Sequence, residues 1–150
     1  MERFEFVEEV LDFAIAREVE SQDFYMKLAE RMENPAMQKV FENFATEELG
    51  HKMKLEAVKH GEVLLGQKEV RSLDIADYVV DVEPRPDMDY AEALVVAMKK
   101  EKAAYRLYLD LAAVAEDEEL TDMFLLLAQE EAKHKLRFEI EYDDTVLKED

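Results

Sequence analysis

Only six of the 150 residues are glycine or proline, and five of the six fall at a helix end or in the segment between helices. Long stretches without either residue favour a few long helices over many short elements. The first helix is predicted over about Phe4–Glu33. It stops at Asn34-Pro35, where Asn34 can cap and Pro35 can open the next helix at its first position. The second helix then runs to about His60 and ends at Gly61. Residues 61–88, with Gly61, Gly66, Pro84 and Pro86, read as a crossover containing one short helix around Leu73–Val80. A third helix is predicted from Asp87–Asp89, with Glu92 placed for a capping-box-like start, to about Glu116-Asp117. The fourth follows directly to about Tyr142 and leaves a frayed tail. Strand-type alternation is absent over any useful length. Two antiparallel helix pairs, 4–60 and 89–142, joined by one long crossover predict an all-α four-helix bundle filling residues 1–150 as a single domain.

Charge and composition narrow the function classes. Nineteen bases against 38 acids give a net charge of −19, which repels phosphate backbones and anionic lipid, so neither nucleic acid nor a membrane surface is expected as partner. The absence of cysteine excludes disulfides, thiol catalysis, iron–sulfur clusters and cysteine zinc sites. The longest apolar runs, Ala93–Met98 and Met123–Ala128, are six residues each, far short of a membrane span. The N-terminal MERFEFVEEV has no basic region followed by an apolar one, so a cytoplasmic protein is expected.

Slid against itself by 83 residues, the chain matches without gaps. Leu11/Leu94, Ala14/Ala97, Glu18/Glu101, Tyr25/Tyr108 and Leu28/Leu111 are among the pairs in the first helices. Phe41/Phe124, Ala45/Ala128, Glu48/Glu131, His51/His134 and Lys52/Lys135 are among those in the second, and positions 11–56 hold 14 identities in all. Two of only three histidines land on each other. The inward stripe of the first helix reads Phe4, Val7, Leu11, Ala14, Glu18, Tyr25, Leu28, Met32, and that of the second Phe41, Phe44, Glu48, His51, Leu55, Val58. The third gives Leu94, Ala97, Glu101, Tyr108, Leu111, and the fourth Leu120, Phe124, Leu127, Glu131, His134, Phe138. Each stripe is apolar except at Glu18, Glu48, His51, Glu101, Glu131 and His134. At ~1.5 Å per residue, all six lie roughly 20–25 Å from the turn that closes their own pair. The same level of one core is therefore expected to hold four carboxylates and two imidazoles.

Carboxylates without a counter-charge in an apolar interior would each cost several kcal/mol or take up protons. Two divalent cations cancel four carboxylates, and so do two ferric ions sharing an oxide, which suits a centre that cycles between redox states. Imidazole and carboxylate ligands fit iron or manganese. A Glu and a His three residues apart share one helix face and can grip one ion.

One Glu from each of two helices plus Glu-x-x-His from each of two others is the di-metal pattern of ferritin-like proteins. The chain resembles the rubrerythrin and bacterioferritin branch of that superfamily along essentially its whole helical length. That resemblance implies Glu18 and Glu101 as terminal ligands, Glu48 and Glu131 as bridges, and His51 and His134 as one nitrogen ligand per iron. It also matches Tyr25 and Tyr108, each seven residues after a terminal Glu, to tyrosines beside the metals. Such tyrosines serve either core packing or hydrogen bonding and radical quenching near iron. Several departures are visible. There are no cysteines for a rubredoxin domain, so electrons are expected from a separate donor such as a rubredoxin-like protein. Ala104 stands where rubrerythrins carry an extra glutamate, which bears on their peroxidase behaviour. Leu49 stands where bacterioferritins bind haem through Met, so no haem is expected. Too few residues follow Tyr142 for the fifth short helix of storage cages.

Neighbouring polar residues have blander readings. Glu47 and Glu130 lie one step off the stripe and read as solvated flank. Glu20 would become a ligand in a shifted register, but the stripe and the spacing to Tyr25 favour Glu18. His60 has no repeat partner and reads as a cap or an exposed residue. Gly50, mid-helix, either admits a close neighbour beside His51 or is drift. The leading expectation is a rubrerythrin-type diiron oxidoreductase of oxidative stress, reducing hydrogen peroxide or dioxygen, in a homodimer or larger homo-oligomer. The alternatives are an iron-handling protein that oxidises ferrous iron and a metal-stabilised structural bundle without turnover.

Overall fold

The computed structural model describes residues 6–61, 72–80 and 89–145. Four long helices account for most of them: α1 (Val7–Glu30), α2 (Pro35–His60), α3 (Tyr90–Val114) and α4 (Glu118–Thr145). A single 3-10 turn, Ile75–Tyr78, precedes α3. Among the described residues there is no β-strand, and no helix is long and apolar enough to cross a membrane. The chain divides into two compact units, one built on α1 and α2 and the other on the 3-10 turn, α3 and α4.

In the first unit the breakers act as expected at α2. The Asn34 side chain accepts from the backbone N–H of Ala36 at 2.8 Å and of Met37 at 3.4 Å, and Pro35 opens the helix. Gly61 follows the last residue, His60, and its N–H reaches the Ala57 carbonyl at 3.0 Å. Its φ of −94° is not the left-handed cap that a terminal glycine usually supplies. Glycine is needed for closeness, because a Cβ there would stand 3.0 Å from the Ala57 carbonyl oxygen. Helix α1 ends three residues earlier than its hydrophobic pattern predicts. The N–H groups of Arg31 and Met32 turn back to the Leu28 and Ala29 carbonyls at 3.2 and 3.1 Å, tightening the last turn before Asn34. The predicted start at Phe4 lies outside the described residues. The core of this pair holds Leu11, Ala14, Tyr25 and Leu28 from α1 against Phe41, Ala45 and Leu55 from α2. Phe44, predicted inward, is only half-buried but meets the Tyr25 ring edge-on at 6.2 Å.

The second unit repeats the plan. Asp89 caps α3, its carboxylate accepting from the Glu92 N–H at 2.7 Å, as the capping-box pattern implies. Helix α3 ends at Val114, two residues short of the predicted boundary, and residues 115–117 carry the chain into α4. Helix α4 runs three residues beyond the predicted Tyr142, to Thr145, whose hydroxyl donates to the Glu141 carbonyl at 2.7 Å. No glycine or proline stands there to stop it. The short helix expected around Leu73–Val80 is the 3-10 turn, capped by Asp74 accepting from the Ala76 N–H at 3.1 Å. Its Tyr78 is buried, with the hydroxyl donating to Asp110 Oδ2 of α3 at 2.6 Å. The core sets Leu94, Ala97, Tyr108 and Leu111 against Phe124, Leu127 and Phe138, with the Tyr108 and Phe124 rings stacked 6.4 Å apart.

Among the described residues Gly50 is the one glycine inside a helix, and a Cβ built there meets nothing within 4 Å. No close neighbour calls for glycine. Gly50→Ala is therefore expected to stabilise the protein by about 1 kcal/mol through helix propensity. A melting temperature about 2–4 °C higher by circular dichroism would check this.

Candidate metal centre

Each helix pair buries a triad of two carboxylates and one imidazole. In the first, α1 contributes Glu18 and α2 contributes Glu48 and His51, one turn apart on one face. All three are 1% exposed. His51 Nδ1 lies 3.5 Å from Glu18 Oε2 and 3.5 Å from Glu48 Oε1. In the second, α3 contributes Glu101 and α4 contributes Glu131 and His134, again at most 2% exposed. His134 Nδ1 lies 3.6 Å from Glu101 Oε1. Within each triad the three ligand atoms lie within 4.8 Å of one another. The antiparallel hairpin explains the meeting: residues equally far from the closing turn come level, and both ligand sets obey that rule.

The donor set fits a hard or borderline divalent cation. Nitrogen and oxygen donors that each sit about 2.1 Å from one ion are at most about 4 Å apart, close to the observed spread. The contacts of 3.5–3.6 Å exceed a normal N–H···O hydrogen bond. Packing two carboxylates this closely in an apolar interior is costly unless a positive charge joins them. Iron or manganese suits imidazole with carboxylate.

The neighbouring polar residues lie outside both triads. Glu20 is exposed and pairs with Arg17 at 2.9 Å, whereas Glu18, two residues earlier, faces the triad. Glu47 is exposed and Glu130 half-buried, and neither joins a triad. His60 is exposed at the end of α2, Leu49 points outward, and Ala104 is half-buried. Tyr25 and Tyr108 are fully buried about two turns beyond Glu18 and Glu101. The Tyr25 ring packs edge-on against Phe24 at 5.6 Å.

A buried acid was missed by the sequence reading. Glu141, 7% exposed, continues the α4 stripe one turn past Phe138, and its Oε1 accepts from the Tyr90 hydroxyl at 2.9 Å. Burial, then this hydrogen bond, raises the Tyr90 pKa far above that of a free phenol. The i+3 step from Phe138 was the available signal. Tyr78 is raised likewise, by burial first and by Asp110 second.

Comparison with known proteins agrees with this architecture. In structure the chain is similar to a protein of Thermotoga maritima described as a ferritin-like diiron-carboxylate protein, with a TM-score of 0.77. The two are 23% identical, and the alignment covers 97% of this chain and 99% of the other. A hypothetical protein of Pyrococcus furiosus is similar at a TM-score of 0.70 and 26% identity, over 91% of this chain and 87% of that one. No curated protein matches the sequence. The fold is thus an all-α, ferritin-like four-helix bundle. The rubrerythrin family model matches residues 9–91 and 92–150, and the chain belongs to the rubrerythrin family. The two matched stretches begin 83 residues apart, the offset at which the chain matches itself.

Tyr90→Phe removes the hydroxyl that Glu141 accepts from while leaving the ring in place. It is expected to lower unfolding stability by about 1–2 kcal/mol, measured by urea denaturation, whereas Glu141→Gln, which keeps an acceptor, should cost less.

Proposed function

We propose that the two triads hold two iron ions and that the protein reduces hydrogen peroxide or dioxygen with electrons from a separate donor, as a cytoplasmic diiron oxidoreductase. The observation that carries this reading is the duplicated triad, with four carboxylates and two imidazoles buried in one rubrerythrin-family chain. His51 and His134 would give each ion its nitrogen ligand, Glu18 and Glu101 terminal oxygen ligands, and Glu48 and Glu131 the bridging carboxylates that the family resemblance implies. Bound as a ferrous pair, iron supplies the two electrons that peroxide needs for cleavage to water.

The protein's own contribution is positioning and exclusion of water. Helices α1–α4 fix the carboxylates from rigid backbone, and the apolar residues on either side of each ligand keep the local dielectric low. The anionic ligand set favours the higher oxidation state, which makes the reduced centre a good donor to oxygen substrates. The resemblance implies that Tyr25 and Tyr108 would hydrogen-bond near the ions or quench a radical, and both are buried in the same helix-pair cores as the triads.

Metal analysis and turnover test the two halves of this proposal separately. The purified protein should carry about two irons per chain, and Glu48→Ala or His51→Ala should weaken metal retention at least as much as the 10–100-fold typical of losing a supporting partner. Removing metal with a chelator should lower the melting temperature, because the cation that offsets four buried carboxylates is withdrawn. Zinc in place of iron, or metal content unchanged in both variants, would refute the diiron assignment.

Anaerobically reduced protein mixed with hydrogen peroxide should be oxidised far faster than free ferrous iron, followed by its optical spectrum. Oxidation no faster than free iron would leave a structural metal bundle. A large assembly that takes up many irons per chain would favour iron handling instead.

A further inference from the structure

Helix α3 concentrates positive charge that the metal reading does not use. Residues 99–106 hold four bases, Lys99, Lys100, Lys102 and Arg106, against the single acid Glu101. In the register of the duplication, the matching residues 16–23 of α1 hold one base, Arg17, against three acids. The positive stretch belongs to the second repeat alone, so the duplicated ligand set does not require it. On a chain of net charge −19, gathering bases in one place also runs against the prevailing field.

The local structure turns this stretch into a groove. Lys99, Lys102 and Arg106 stand at i, i+3 and i+7 and share one face of α3, turned away from the buried Glu101. The Tyr78–Asp110 hydrogen bond pins the 3-10 turn one helical turn beyond Arg106 on that face. Val79 and Val80, leaving the turn, then run beside the helix. Between them and the small Ala103 lies a cavity of about 280 Å³, lined also by the three bases and by Asp77. Among the described residues, none of Lys99, Lys102 and Arg106 forms an ion pair.

We propose that this groove between the 3-10 turn and α3 binds a small polyanion of the diphosphate type through Lys99, Lys102 and Arg106. Seven residues of helix separate the outer bases by ~10 Å, so a ligand with spread anionic groups engages them better than a single small anion. The Arg106 guanidinium can fork onto one phosphate group, and the two lysines act as point charges on the next. Val79, Val80 and Ala103 offer an apolar wall to an uncharged portion of such a ligand. The cavity lies at the small end of ligand-binding pockets, which points to a metabolite-sized occupant. This assignment is independent of what the metal centre does.

Calorimetric titration of inorganic pyrophosphate into the protein as purified tests it, with metal released into the filtrate measured so that chelation is read separately. Saturable one-site binding is expected, weakening as salt is raised. Lys102→Gln and Arg106→Gln should each weaken it roughly tenfold, the loss of one charge-assisted hydrogen bond. Lys54→Gln, exposed on α2, should leave it unchanged, and circular dichroism should show all three variants equally helical. Three results would overturn the proposal. These are no saturable binding, binding that survives both Lys102→Gln and Arg106→Gln, and capture of polyaspartate without pyrophosphate, which would assign the groove to an acidic protein surface.

Discussion

Burying like charges together is the constraint around which the chain is organised. Each hairpin places two carboxylates and an imidazole out of water, with ligand atoms less than 5 Å apart. In a low-dielectric interior such carboxylates stay ionised only with a positive charge among them, and otherwise take up protons. Helix length, the tight turns and the apolar residues that flank each ligand all follow from keeping those groups level and dry. A metal bound by these groups would, in that sense, belong to the core rather than be an addition to it.

Much of this was legible in the residues themselves. Helix α2 could be bounded because Asn34, Pro35 and Gly61 mark its ends chemically, and the α3 start because Asp89 accepts from the Glu92 N–H. Boundaries without such markers were less legible: α1 stops early by turning its last N–H groups inward, and α4 continues because nothing breaks it. The triads were readable because charged residues on an apolar stripe violate the pattern, and Glu18 was separable from Glu20 by the same periodicity. Contacts between residues far apart in sequence were not readable. Tyr78 meets Asp110 across 32 residues and Tyr90 meets Glu141 across 51, and no local period announces either pairing.

The duplication also shows what was free to change. The six triad residues repeat, yet the positions matching Tyr90 and Glu141 in the first repeat are Val7 and Val58, both half-buried. A hydrogen-bonded polar pair in one half thus corresponds to two valines in the other. The outward faces diverge further, acidic along α1 and basic along α3. Between the two repeats the ligand positions keep their chemistry, while the surfaces around them differ in sign of charge.

The tight turns before α2 and α4 bear on how such a site assembles. Glu18 and Glu48 are separated by one hairpin, as are Glu101 and Glu131, so every contact between the two helices of a triad closes a loop of about thirty residues. Local loops of this kind cost little chain entropy and form early, which is why helical hairpins fold fast. Each half therefore carries its own three ligands on one locally closed hairpin. An ion bound by such a triad would favour the correct pairing of its two helices, since it binds only when the ligands of both are level.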